Sequence, residues 1–441
     1  MGEPDVIKED LAQQLYGLVE RIFPFPRSIT GNGVRQTLRE IQRLLPALVI
    51  HEVPSGTRAF DWVVPDEWNI RDAYVLDETG TRVIDWRKNN LHVVSYSTPV
   101  DAEMSLRELD QHLHSLPDQP EAIPYVTSYY ERRWGFCVAH NQRTRLKDCR
   151  YRVVIDSRLE PGSLTYGELI IPGEEPSEIL LSTYTCHPSL ANDNVSGLAV
   201  TTFLARGLLE QPRRRHTYRF VFVPETIGAI TYLSRNLAEM KRHVIAGFAV
   251  TCVGDDRSYS FLSSRKGDSL ADRVALHVLK HLHPDFVQYT YQDRGSDERQ
   301  YCAPGVDLPV ASVMRSKYGA YPEYHSSLDD LSLVTPAGLQ GSYDVLRRCM
   351  ECIEANEYLR VTVLCEPQLG RRGLYPTLSN NHPGHQVREL RNLIACCDGT
   401  RTLLGIADKL NLPMWDLIPL AETLKGHGLL VASGPHSRKD I

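Results

Sequence analysis

The sequence has no apolar run approaching the roughly 18 residues that a membrane span requires, which argues against a transmembrane protein. Its opening, MGEPDVIKED, is acidic and lacks an apolar core, so export is not expected. Val6 stands where N-myristoylation needs Ser or Thr. There is no basic excess. Lys and Arg number 49 against 55 Asp and Glu, a net charge of −6, which speaks against a general nucleic-acid binder or a basic membrane-surface protein. G-x-S-x-G, Walker and G-x-G-x-x-G motifs are missing, which removes the strongest signatures of serine hydrolases, P-loop enzymes and dinucleotide-binding folds. The ten cysteines follow no disulfide framework and read as reduced core residues of a cytoplasmic protein. Cys349 and Cys352 form a lone C-x-x-C, whereas a zinc site of that kind needs a second pair.

What remains is an ordinary globular composition, 42% hydrophobic and 24% charged, over 441 residues, enough for two or three domains. Apolar residues at helical spacing predict helices over 9–22 and 30–45, followed by a strand over 47–53. From 54 to 150 the texture changes to short strand-like runs at 60–64, 73–77, 81–85 and 92–97, with a helix over 104–116 and an aromatic-rich stretch over 125–137. This reads as a small β-rich domain inserted into the first. Strands are then expected at 151–155, 167–171, 178–183, 218–223, 245–253 and 308–314. They alternate with helices at 195–210, 230–243, 269–282 and 336–357. That alternation argues for an α/β core in three layers, helices over a mostly parallel sheet, built from 1–53 and 151–365. Residues 366–386 read as a linker. Three short helices and a strand over 386–441 resemble a winged helix-turn-helix. Pro419 should disturb its third helix, and seven Lys and Arg against six Asp and Glu give a net +1. Protein packing is therefore expected of this tail, with nucleic-acid binding unlikely. Arg213, Arg214 and Arg215 read as a solvated turn.

The chemistry gathers where strands should end. In the segment 182–200, STYTCHPSLANDNVSGLAV, His187 follows a strand and Asp193 precedes a helix. Ligands of α/β proteins bind at such strand ends, and one imidazole with one carboxylate is half of a zinc site. A satisfied histidine and a helix-capping aspartate fit the same residues. Glu225 in VFVPETIGA, Asp297 and Glu298 in GSDERQYCAPG, and His325 in YPEYHSSLDDL fall on further loops of the same sheet. Two histidines and an aspartate on separate loops can converge on one metal and leave a position for water, and a nearby free carboxylate such as Glu225 can take that water's proton.

In order and spacing these segments resemble the zinc aminopeptidase superfamily that includes secreted bacterial aminopeptidases and glutaminyl cyclases. His187 and Asp193 match its first motif, Glu225 its general base, Ser296-Asp297 with Gly305-Val306 its S-D-H…G-I-P segment, and His325 its closing ligand. The insert, core and terminal winged helix together resemble cytoplasmic bacterial proteins with an aminopeptidase-like domain, a group often found beside polysaccharide or natural-product genes. The resemblance implies a zinc-dependent amide hydrolase, most readily an aminopeptidase of small peptides or aminoacyl conjugates. Alternatives are a cyclase or deacylase of a specialised metabolite, or a regulatory scaffold with a degenerate peptidase core. A homo-oligomer is possible.

Two departures matter. Thr226 replaces the second Glu of the family's pair, and Thr251 stands where another carboxylate is expected. His187, Asp193 and His325 suffice for one zinc, so a single ion is expected, unless Asp255 or Asp256 compensates. Tyr318, Tyr321, Arg315 and Glu323 precede His325 and could frame the substrate pocket, a tyrosine supplying an oxyanion donor. Glu298 could hold a substrate ammonium. Asp329 or Asp330 could orient His325. Trp62, Trp68, Trp86, Tyr129, Tyr130 and Trp134 read first as packing for the insert, and second as a sugar- or peptide-shaping wall.

Overall fold

Apolar runs without polar alternation, such as Ile179–Leu181 and Phe220–Val223, form strands buried on both faces in the computed structural model, which describes residues 10–374 and 385–434. The chain divides into two compact units, 1–272 with 286–344, and 273–285 with 345–441.

The first unit is built on an eight-stranded sheet. Its order is Val49–Pro54, Ser163–Ile171, His216–Val223, Glu175–Tyr184, Val244–Ala249, Val310–Met314, Ser260–Leu262 and Val287–Tyr289. The central four strands are mutually parallel, and antiparallel pairs flank them. All four carboxyl ends therefore open on one side, where the chain continues to His187, Glu225, Thr251 and Arg315. Helix Ser196–Leu209 packs on strand Glu175–Tyr184, and helix Leu11–Ile22 packs on Ser196–Leu209. Leu15, Leu18, Val19 and Ile22 supply its buried stripe. Arg219 crosses the sheet interior, donating to Glu178, Glu168 and Tyr232, so its buried charge is paired.

The insert forms a separate antiparallel sheet in the order Arg82–Asp85, Glu67–Leu76, Arg150–Glu160, Val100–Ser105. Residues 151–155, expected in the large sheet, thus lie at the centre of the small one. An alternating strand pattern shows that one face is buried but not which sheet buries it. Residues 92–97 form no strand, because the tight turn Asn90–His92 and isolated bridges replace the ladder. The helix expected over 104–116 shrinks to Leu106–Leu109, closed by a capping box between Ser105 and Glu108.

The second unit holds helices His385–Cys396, Leu403–Leu410 and Met414–Gly426, with a three-stranded sheet ordered Asp398–Thr402, Tyr358–Val361, Leu430–Ser433. The third helix runs through Pro419 and buries Met414, Leu417, Leu420, Ala421 and Leu424. Packing outweighs the backbone donor that proline lacks. Residues 375–384 of the linker expected over 366–386 lie outside the described residues, as do residues 1–9 at the acidic start of the chain. Among the described residues no helix is long and apolar enough to cross a membrane.

Candidate metal centre

Strand Glu175–Tyr184 delivers His187 three residues past its end. The chain then turns through 191–195 and enters helix Ser196–Leu209. The turn is tightly held. The backbone N–H groups of Asn192 and Asp193 donate to the two Asp329 oxygens at 2.6 and 3.0 Å. Asn192 Oδ1 accepts from Gly254 N at 2.8 Å. Position 197 must be glycine, since a Cβ there would lie 2.2 Å from Asn194 Oδ1 and 2.6 Å from the Val250 carbonyl. The result is an Asp193 side chain with no solvent exposure, pointing across the strand ends.

His187, Asp193 and His325 each offer one ligand atom, and the three atoms lie within 4.8 Å of one another. Asp193 Oδ2 and His325 Nε2 face each other at 3.1 Å. Both are buried, and neither is satisfied by a well-formed hydrogen bond. Two adjacent unsatisfied donor atoms are costly without a partner, and a cation between them is the partner they fit. Ligand atoms about 2.0–2.1 Å from a tetrahedral zinc sit about 3.3 Å apart, close to that spacing. His187 Nδ1 lies 3.4 Å from Cys186 Sγ. With its proton on Nδ1, Nε2 keeps a lone pair. Burial depresses the His187 imidazole to about 4, so it is neutral at pH 7.

Glu225 stands two residues beyond strand His216–Val223, with Oε2 3.8 Å from His187 Nε2. Burial, and then the Asp297 and Asp193 carboxylates, push it well above the ordinary carboxylate range. The Glu225 backbone N–H donates to Cys186 Sγ at 3.2 Å. Asp297 accepts from Thr226 N at 2.8 Å and, through burial, is pushed up to about 7. Four non-glycine residues with positive φ, Ser189, Thr226, Cys252 and His325, lie on the loops that close this region. Such backbone clusters at functional sites.

Thr251 and Thr226 do not reach the cluster as ligands. The Tyr184 hydroxyl donates to Asp193 Oδ1 and lies 2.7 Å from Thr251 Oγ1, so Asp193 has one oxygen left free. Thr226 Oγ1 accepts from Arg299. Asp255 is spent on Asn192, Ser316 and Arg257, and Asp256 accepts from Thr335, so neither joins the three ligand atoms. Asp329 holds the Asp193 turn rather than His325. Asp330 accepts from Ser332 at the surface.

A cavity of about 350 Å³ opens over this cluster, lined by Cys186, His187, Glu225, Thr226, Ile227 and His325 from the core, with Ile29. Trp62, Tyr125, Thr127, Tyr129 and Tyr130 of the insert complete its lining. The Tyr125 ring packs 5.1 Å from His187 and edge-on at 5.2 Å to His325. Tyr324 stacks on the His325 ring at 3.9 Å. The residues expected to frame a pocket lie elsewhere. Glu298 is fully buried and accepts from Gly295 N, Ser296 N and the Tyr318 hydroxyl. The Tyr321 hydroxyl donates to Asp329, Arg315 stacks 3.8 Å over Tyr259, and Glu323 pairs with Arg257. None of Glu298, Arg315, Tyr318 or Tyr321 lines the cavity. Tyr125 and Thr127 escaped the sequence reading of the site. The aromatic density over 125–137 was the visible signal, but nothing in its spacing shows which rings face a cavity.

Residues 16–356 match a family described as a domain of unknown function, DUF4910, and residues 356–432 match a winged helix-turn-helix family. A Clostridium acetobutylicum protein, named for polysaccharide biosynthesis with an aminopeptidase-like domain, is 47% identical over 399 residues, 90% of this chain and 91% of that one. A crystal structure from the same organism, described as a peptidase, superposes with a TM-score of 0.90 at 44% identity, covering 96% of each chain. A zinc aminopeptidase from Bacillus subtilis shares the core fold, with a TM-score of 0.56 at 11% identity, over 77% of this chain and 95% of that one.

Proposed function

Since the chain belongs to the DUF4910 family, with an aminopeptidase-like domain and a terminal winged helix, we propose that it is a zinc-dependent hydrolase of amide bonds in small peptides or acyl conjugates. The observation that carries this reading is the convergence of His187, Asp193 and His325, two of their atoms buried and unsatisfied, with the Glu225 carboxylate 3.8 Å from His187 Nε2. Zinc is the metal named for the B. subtilis enzyme of the same fold, and the donor set of two imidazoles and one carboxylate suits it. Held there, zinc would supply Lewis acidity and lower the pKa of a water towards about 7. One ion is proposed, because the Tyr184 hydroxyl occupies the second Asp193 oxygen and Thr226 and Thr251 offer no carboxylate.

Glu225 is the proton carrier. It accepts the proton from the attacking water and returns it to the departing nitrogen. Its raised affinity for protons, which comes from burial first, suits a group that must hold the proton between those steps. Activity should therefore rise with pH through an acid limb set by the fraction of Glu225 that is ionised. Glu225→Gln should keep about one metal per chain by elemental analysis and lose about 10²–10⁴-fold in kcat on a panel of amides. A mutant as active as the parent would end this assignment. A purified parent that holds no divalent metal and cleaves none of the panel would favour a scaffold instead.

A further inference from the structure

The lining of the cavity bears on which amide is cleaved, an inference that rests on the hydrolase reading above. Among the described residues lining it, Glu225 is the one carboxylate outside the metal cluster, and there is no lysine or arginine. The free amine of an aminoacyl group has a pKa of about 8 and is largely charged at pH 7. An ammonium carried into such a space needs a carboxylate partner, because an unpaired buried charge is strongly disfavoured. Glu225 cannot be that partner and also take the proton of water. Glu298, the other acidic candidate, is sealed in the protein with three donors on it. Asp297 is 2% exposed and turned to Thr226 N.

What the insert does supply is aromatic. Trp62 and Tyr130 meet edge-on at 5.7 Å and are 39% and 53% exposed, so their rings stand at the mouth. Tyr125 and Tyr129 join hydroxyls at 2.9 Å deeper in. Flat rings with polar tips suit a neutral ring as ligand.

We infer that the substrate is an N-acylated amine whose acyl group is uncharged and whose nitrogen carries a neutral ring, rather than a peptide with a free amino terminus. The step is a hydrolysis. The oxygen of water bonds to the acyl carbon, the C–N bond breaks, and the proton held by Glu225 passes to the nitrogen. A carboxylate and a ring amine leave, and the second proton of the water passes to that amine or to solvent.

The test uses the full-length, zinc-loaded chain and two matched pairs, N-propionyl against N-alanyl on glucosamine, and the same two acyl groups on aniline. Propionyl and alanyl differ by the ammonium alone. A kcat/KM at least tenfold higher for propionyl on either ring supports the inference, and the better ring distinguishes saccharide from aryl ligands. Equal or faster cleavage of the alanyl compounds overturns it and leaves the hydrolase reading standing. No cleavage of either pair, nor of a free dipeptide amide, overturns the hydrolase reading itself. Trp62→Ala should raise KM at least fivefold for the better propionyl substrate with kcat within twofold. An unchanged KM would remove the aromatic wall from the proposal.

Discussion

Tyr184 shows how a single hydroxyl sets the character of a site. Its OH donates to Asp193 Oδ1 and meets Thr251 Oγ1, so the aspartate is both oriented and half consumed. Partners of metal-binding side chains typically carry a 10–100-fold share of metal affinity. Tyr184→Phe should weaken zinc binding by that factor, read by competition with a chromophoric chelator, while circular dichroism stays unchanged. An unaltered affinity would mean that the turn alone positions Asp193. At this scale the sequence was partly legible. His187, Asp193, Glu225 and His325 each follow a strand or precede a helix, and a parallel sheet gathers such positions at one end. Glu298 was not legible, because a carboxylate in a loop reads the same whether it meets solvent or three buried donors.

Helix Asn32–Leu44 is tied to three strands through one side chain. Arg35 donates to Glu67 at 2.6 and 2.7 Å, to Glu52 at 2.8 Å and to Ser163 Oγ at 2.9 Å. The Arg35 pairing holds the Glu67 carboxyl down at about 2, against an ordinary value of 4.5. The folded state thus binds this proton less readily than the unfolded chain. Its stabilisation is complete above pH 4.5 and is lost as pH falls towards 2. Glu67→Gln should lower the free energy of unfolding by about 2 kcal/mol at pH 7, since the partly buried guanidinium loses its two-bond carboxylate partner and keeps only the more exposed Glu52 and Ser163 Oγ. In urea titrations the gap between mutant and parent should narrow below pH 4.5. A gap independent of pH would assign the loss to packing. Elements of the core were readable from their apolar period. Those of the insert were less so, because its strands alternate and its loops are fixed by contacts distant in sequence, such as Tyr125 N donating to the His325 carbonyl.

The molecule joins a candidate enzyme to a winged helix whose described charges cancel. Over 385–434 there are five basic residues, Arg388, Arg391, Arg401, Lys409 and Lys425, and five acidic ones, Glu389, Asp398, Asp408, Asp416 and Glu422. Arg391 pairs with Glu366, and Lys425 with Glu357 and Glu422. Phosphate binding depends on unpaired cations and counterion release. The full-length protein should give no shift of random duplex DNA at 150 mM salt and micromolar concentration, and a clear shift there would give the tail a genomic role. Finally, the proposed ligands are strung out along the chain, with Asp193 and His325 lying 132 positions apart. A ribosome that has made the first two has yet to make the third. Under that proposal, stable loading with zinc waits until synthesis has passed residue 325, and products that stop short of it should leave the cell's metal pool untouched.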